Sequence, residues 1–414
     1  MPLPEHGLTD DEIMARLGAM RARDARWADG RTFGLVFDGG PEVRAIAEQA
    51  AALYLHENAL NPAAFPSLAE IQSDVVGACA QLFHGGPAVA GFMTSGGTES
   101  ILMAVKAARE RARAERNVTE PEMVLADSAH AAFHKAAHYF GVRVRKVPVR
   151  ADFRCDVDAM AARVNQNTAL VVGSAPQYPQ GVIDPIPELA ALAATVGASM
   201  HVDACMGGFV LPFMEMNGEP VAPWDFRVDG VTTLSADLHK LGYAPKGASV
   251  LLHATKELRR YQTFVFDDWL GGAYASPAMQ GSRPGLPMAT AWAVLHRLGI
   301  DGYRRLTRTT LDAARAIIAG VRATPGLTVL GEPAAHLFAI TSPDAQLDVF
   351  ALDDRLHARG WHLQRQRPPD SLHLTVSAGN VPVVDEFVSD LRAAVAEAAG
   401  VRARDRDAGY ARME

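Results

Sequence analysis

Cysteine is scarce in this 414-residue chain: Cys79, Cys155 and Cys205 stand far apart, with no CxxC pair. That pattern offers neither a disulfide framework nor a zinc site, and fits reduced thiols. Surplus positive charge is also missing. The formal net charge is −7 and no long basic run occurs, which argues against nucleic acid or an anionic membrane as a main partner. No apolar run approaches the roughly 18 residues of a membrane span, and the N-terminal stretch holds no signal-peptide core. The expectation is a cytoplasmic protein with no membrane span, no nucleic-acid partner and no metal.

What remains is ordinary globular material, 49% hydrophobic and 21% charged, long enough for two or three domains. Thr9-Asp-Asp-Glu12 has capping-box spacing and opens a helix with Ile13, Met14 and Leu17 on one side. Residues 30–45 are Gly-rich and read as irregular. From about residue 67 helical text alternates with short apolar runs that read as buried strands: 122–127, 145–149, 169–174, 199–203, 230–235 and 249–253. Such alternation predicts an α/β protein with a mainly parallel sheet covered on both faces. A smaller unit should follow a long helix near 289–298. It would have strands near 328–330, 336–341 and 371–376, and helices near 349–359 and 382–397. The expected division is an N-terminal helix and extended segment (1–55), a large domain (56–295), a small α/β domain (296–400) and a charged, frayed tail (401–414).

The most informative text is Ser235-Ala-Asp-Leu-His239-Lys240, with Asp203 ending an apolar run 37 positions earlier. A lysine flanked by apolar residues, Ser and His, and following an aspartate at another strand end, suits a pyridoxal 5'-phosphate (PLP) site. Its amine would bind the cofactor aldehyde, and the carboxylate would keep the pyridine nitrogen protonated. Burial is expected to lower the Lys240 pKa and keep some amine nucleophilic. Alone, Lys240 also reads as a surface lysine and Asp203 as a helix cap. Ser95-Gly96-Gly97-Thr98 precedes a helix and suits phosphate, although a Gly-Gly turn is by itself only a turn. His239 would reach the same phosphate, and His130 would lie against the cofactor ring or serve as a packed structural histidine. Tyr178, in a loop after a strand, reads as an acid/base or as a loop aromatic.

Together these pieces resemble the sphingosine-1-phosphate lyase family, within the group II PLP-dependent decarboxylase-like enzymes. The matching text includes residues 93–102, 128–133, 201–209, 235–240, 244–247, 269–277 and 281–285, in family order. The resemblance implies a type I PLP-dependent transferase fold, with a sheet of the seven-stranded type, acting as a homodimer with shared active sites. It implies Lys240 as the Schiff-base lysine, Asp203 as the ring-nitrogen partner and His130 as the stacking residue. Gly97, Thr98, Ser235 and His239 would hold the cofactor, with Gly281 and Ser282 reaching in from the second subunit. Phe37, Asn58, Asn61, Lys246, Tyr274 and Tyr178 would face a small-molecule amine.

Two departures concern the substrate end. Val36-Phe37-Asp38 stands where the family has Val-Tyr-His, and Asn58-Ala-Leu-Asn61 where it has Asn-Pro-Leu-His. A phenolic hydroxyl and a titratable cation are lost, and Asp38 opposes an anion. The expected function is a PLP-dependent carbon–carbon lyase. It would cleave the Cα–Cβ bond of an amino-alcohol-type substrate by retro-aldol chemistry through an external aldimine, without committing to a phosphorylated sphingoid base. An amino-acid decarboxylase is the alternative. A transaminase is less expected, since Arg283 and Arg367, conceivable clamps for a second substrate's α-carboxylate, read rather as salt-bridging arginines. A non-catalytic PLP-fold subunit ranks below lyase and decarboxylase.

Overall fold

The computed structural model describes residues 3–410. Seven strands form the large sheet: β1 (Ala90–Thr94), β2 (Glu122–Ala126), β3 (Arg143–Val147), β4 (Thr168–Ser174), β5 (Ser199–Asp203), β6 (Thr233–Ala236) and β7 (Ser249–His253). Their spatial order is β1-β7-β6-β5-β4-β2-β3. β7 runs antiparallel to both neighbours, while the pairs from β6 through to β3 are parallel. Every residue of β2, β4, β5, β6 and β7 is buried, as expected of strands covered by helices on both sides. The helices Pro66–Leu82 and Gly97–Arg116 each bury one face in the cores that flank the sheet. The mainly parallel sheet and smaller C-terminal domain match expectation.

An exposed strand, β8 (Phe264–Phe266), and a partly buried one, β9 (Tyr274–Ser276), form a hairpin. A 38-residue helix, Gly285–Arg322, then leads into the small domain, broken in backbone geometry at Gly299 (φ 55°, ψ −174°). That domain has four antiparallel strands, β10 (Thr328–Val329), β11 (Leu337–Thr341), β12 (Gln364–Gln366) and β13 (Ser371–Thr375), in the order β10-β11-β13-β12. Helices Val349–Ala358 and Val384–Ala398 cover it, with Trp361, Phe350 and Phe387 at its centre.

Several local expectations need correction. Helix Pro41–Leu53 starts inside the segment read as irregular, because Pro41 sits at the first turn, where a missing N–H costs nothing. The Thr9 capping box forms as expected, but Ile13, Met14 and Leu17 on its helix Asp10–Arg21 remain exposed, and the helix buries no residue. The tail is not frayed over 401–410, while 411–414 lie outside the described residues. Arg406 bridges Asp348 and Asp370, the Ala403 N–H donates to Asp348, and Val401, Ala403 and Ala408 pack on the small-domain core.

Candidate active site

The sheet topology gathers the candidate residues. β1, β2, β4, β5 and β6 end at the same edge, and each leads into a loop carrying chemistry: Ser95–Thr98, His130, Tyr178, Asp203 with Cys205, and Asp237–Lys240. Ligands bind at this edge of open α/β sheets because the loops splay apart there. β7 runs the other way, so its beginning returns the Gly247 and Ala248 backbone N–H groups to the same edge. Both donate to Nδ1 of His239, at 3.3 and 3.1 Å. The neutral ring thus keeps its proton on Nε2, and burial pushes its pKa down to about 4.

An inner cavity of about 300 Å³ lies over this edge, lined by residues 95–99, His130, Tyr178, Asp203, Asp237, His239 and Lys240 among others. At its floor, helix Gly97–Arg116 starts without a side-chain cap, leaving its first N–H groups open to an anion. Gly96 has φ 154°, and a Cβ there would lie 3.0 Å from the His239 ring. A Cβ on Gly97 would come within 2.8 Å of both Asp237 and Cys205. Neither position tolerates a side chain, so backbone forms this part of the wall. Glu99 braces the turn: its carboxylate accepts from Ser95 N–H at 2.6 Å and from Met279 N–H at 2.7 Å.

Lys240 Nζ lies in this cavity, 3.0 Å from Asp237 Oδ2. Burial opposes the ammonium, but Asp237 outweighs it, with smaller help from Cys205 and Tyr410, and the pKa is raised. This reverses the expected lowering. Burial likewise opposes charge on Asp237, and Lys240 and His239 overcome it, so that carboxyl lies below its usual range. The two form an ionised pair. Asp237 went unnoticed in the sequence although it stands three residues before the lysine, between apolar Ala236 and Leu238.

Asp203 Oδ1 accepts from Cys205 N–H at 3.1 Å and from the Ser235 hydroxyl at 3.5 Å. Ser235 was expected to touch a cofactor; instead it is fully buried behind the wall, bridging Asp203 and His201, whose Nε2 lies 3.2 Å away. His130 accepts the Ala132 N–H on Nδ1 at 3.1 Å, and burial lowers its pKa. Tyr178 donates to Gln364 Oε1 at 3.0 Å and lies 4.0 Å from the His373 ring. Burial raises its pKa, so at neutral pH this phenol gives a proton or a hydrogen bond rather than acting as a base.

A second, outer cavity of about 830 Å³ adjoins the first. It is built from residues 32–37, Lys246, parts of 353–375 and the 405–410 segment, with Lys240, His239 and Tyr178 shared. Phe37 lies here with the Lys246 ammonium 4.6 Å from its ring centroid, and Lys246 donates to the His239 carbonyl at 2.9 Å. Asp38, expected to oppose an anion, is paired with Arg44.

Besides Ser235, five expected residues lie outside both cavities: Asn58, Asn61, Tyr274, Gly281 and Ser282. Asn61 Oδ1 accepts from Ala63 N–H and serves a local turn, while Asn58 Oδ1 accepts from Leu60 N–H and also ties that turn to the Arg283 N–H. Gly281 lies beside the Tyr274 hydroxyl, and Gly281 and Ser282 are exposed. Glu99, Asp237, Gln364 and Tyr410 are the contributors that sequence reading missed.

An open helix N-terminus, a glycine-walled floor, an amine and a facing carboxylate match the phosphate, aldehyde and ring nitrogen of PLP. The pyridoxal-dependent decarboxylase conserved domain matches residues 25–339. Sphingosine-1-phosphate lyase 1 of Rattus norvegicus is 42% identical over 398 residues, 95% of this chain and 70% of that protein. The structure of a Burkholderia pseudomallei sphingosine-1-phosphate lyase superposes with TM-score 0.92 at 40% identity, covering 97% of this chain and 93% of that one. Lactobacillus brevis glutamate decarboxylase, at 23% identity and TM-score 0.83 over 96% and 95% of the two chains, shares the fold. The chain belongs to the pyridoxal-dependent decarboxylase family, in its sphingosine-1-phosphate lyase-like branch, and is a PLP-dependent lyase.

Proposed function

We propose that this chain cleaves the Cα–Cβ bond of an amino-alcohol substrate by a retro-aldol route, with Lys240 as the residue that carries PLP. When bound, PLP accepts the electron pair released at the substrate α-carbon. Asp203 would pair with the ring nitrogen, and His130 would lie against the ring. Gly97 and Thr98 at the helix N-terminus, with Nε2–H of His239, would hold the phosphate. Ser235 acts one layer back by fixing Asp203. Lys240, released as a neutral amine, would take the β-hydroxyl proton, and Asp237 would hold the resulting ammonium. Tyr178, whose burial keeps its phenol protonated, orients that oxygen by hydrogen bonding.

The observation that carries this reading is the Lys240 amine standing in one cavity with Asp203 and the open helix end. Decarboxylation would need a clamp for an α-carboxylate. Arg283 is occupied by Gln72 and the Ala59 carbonyl, and Arg367 by Asp370; neither lines the inner cavity. A phosphorylated long-chain base is the substrate class of the relatives, and Lys246 is the cation at the outer cavity that would meet such an anion.

The functional unit in this reading is a homodimer. Asn58, Tyr274, Gly281 and Ser282 lie away from their own cavity, near a hairpin that exposes Phe264, Val265, Phe266, Trp269 and Leu270. A second copy seated there would cover that apolar surface and receive those residues at its own site. Among the described residues no helix is long and apolar enough to cross a membrane, and we place the protein in the cytoplasm.

A panel of amines scored for aldehyde and carbon dioxide together tests the reaction. Aldehyde without carbon dioxide is expected, and carbon dioxide alone would replace lyase by decarboxylase. Wild type should be yellow with PLP and lose the colour to borohydride, while Lys240→Ala should show about a thousandfold less turnover. A Lys240→Ala protein of undiminished activity would end this reading.

A further inference from the structure

We propose that Tyr410 is a gate between the outer and inner cavities, carried on a C-terminal strap, and that it sets the size of amine admitted to Lys240. The proposal rests on the inner cavity being the PLP site. Residues 401–410 form neither helix nor strand, yet they are anchored along their length. Arg402 donates to the Ala345 carbonyl at 2.8 Å, and Arg406 Nη1 to Asp348 Oδ2 at 2.6 Å. The Asp405 carbonyl accepts from Arg365 Nη1 at 2.8 Å, and the Gly409 carbonyl from Gln364 Nε2 at 3.4 Å. The strap therefore hangs from the small domain while its tip reaches the large one.

At that tip the Tyr410 ring lies edge-on to His130 (5.1 Å, 84°) and to Tyr178 (5.2 Å, 86°). Both cavities share a wall made by Tyr178, Met206, His239, Lys240 and Tyr410. Four of these five are fixed by the sheet edge or the loops just beyond it. Tyr410 alone is held from the far side, by a segment without regular structure, and the residue is 51% exposed. The phenol is close enough to Lys240 for a charge on one to act on the other. Lys240 faces both cavities, and the Tyr410 ring stands beside it in the wall they share, where it narrows the room for an incoming amine. Gln364 couples the two sides, accepting from the Tyr178 hydroxyl while donating to the strap at Gly409. Withdrawal of the strap would break the Gln364–Gly409 half of that link.

The test measures how fast oxyamines of two sizes bleach the PLP-loaded holoenzyme by displacing Lys240 from the cofactor. Hydroxylamine is the small probe and O-benzylhydroxylamine the large one. Tyr410→Ala, and a chain ended after Gly409 that keeps the strap anchors, should raise the large probe's rate constant about tenfold or more and hydroxylamine's by less than about twofold, within the range that mutation moves association rates. Tyr410→Phe should retain the wild-type ratio, since the ring rather than the hydroxyl blocks the passage. An unchanged ratio in both the alanine variant and the shortened chain would overturn the gate while leaving the PLP site intact. A protein that stays colourless with PLP would overturn the reading beneath it.

Discussion

The inner and outer cavities meet at Lys240 but are built in different ways. Apart from Tyr410, the inner groups sit close to strand ends, so the sheet sets their positions: Asp203 closes β5, Lys240 follows β6 by four residues, and the glycine turn follows β1. The outer cavity draws on the 32–37 segment, the small domain and the tail, joined by long-range bonds such as Tyr178–Gln364 and Arg365–Asp405. A rigid edge suits cofactor chemistry, where a small misplacement is costly. Loops on a separate domain suit a variable substrate end. The departure at Phe37 falls in the second kind of structure and that at Asn61 outside both cavities, and the cofactor text stays whole.

Replacing Asp203 by Asn gives the sharpest test of that division. It keeps the shape and removes the charge, and should lower turnover of every accepted amine by about 10²- to 10³-fold, as loss of a preorganised electrostatic partner does. A selective loss for some amines would break the comparison, because the inner cavity would then be choosing substrates. Phe37→Tyr should do the opposite. Combined with Asn61→His, it should raise kcat/KM for a phosphorylated long-chain base about tenfold, the worth of one charge-assisted hydrogen bond, with little change for unphosphorylated amines. Phe37→Tyr alone tests the chain's own outer cavity, whereas Asn61 lies outside it and in the proposed dimer would act on the neighbouring copy; gain from the pair but not from Phe37→Tyr would locate the effect there.

The smallest expected effect concerns the packing behind the outer cavity. Burial pushes His336 and His373 down to about 3, and His201 and His253 to about 4. Folded-state values below the ordinary 6.5 mean that the folded protein binds fewer protons than the unfolded chain. Stability is therefore intact above pH 6.5 and is lost as pH falls toward 4, by up to about 1.4 kcal/mol per pH unit for each group. His336 is the weakest of the set, since neither ring nitrogen meets a hydrogen-bond partner among the described residues. His336→Phe should flatten the acid loss in thermal unfolding and leave stability at pH 7 equal or about 1 kcal/mol higher. An unchanged acid slope would mean that this buried imidazole is not among the groups responsible.

The inner cavity was legible because its residues lie in short runs, and a run such as Ser-Ala-Asp-Leu-His-Lys brings its own geometry. Even there the reading was incomplete. Asp237 was hidden inside the motif, and its proximity reversed the expected shift of Lys240. Ser235 looked like a cofactor contact because it belongs to the same run, but strand alternation points its hydroxyl toward His201 and Asp203. Asn58, Tyr274, Gly281 and Ser282 were named by resemblance, and one chain folded alone leaves them away from its own cavities. Tyr410 gave no signal at all, since a tyrosine in a charged, structureless tail looks the same whether it is solvated or docked.

By itself the sequence determined the alternation of strands and helices, the mainly parallel sheet and the lysine–aspartate pair, because periodicity and local motifs act over a few residues. Only the tertiary structure decided how the small domain walls the outer cavity and where Tyr410 docks. Those outcomes depend on contacts between segments up to hundreds of residues apart, and such contacts leave no local pattern to read.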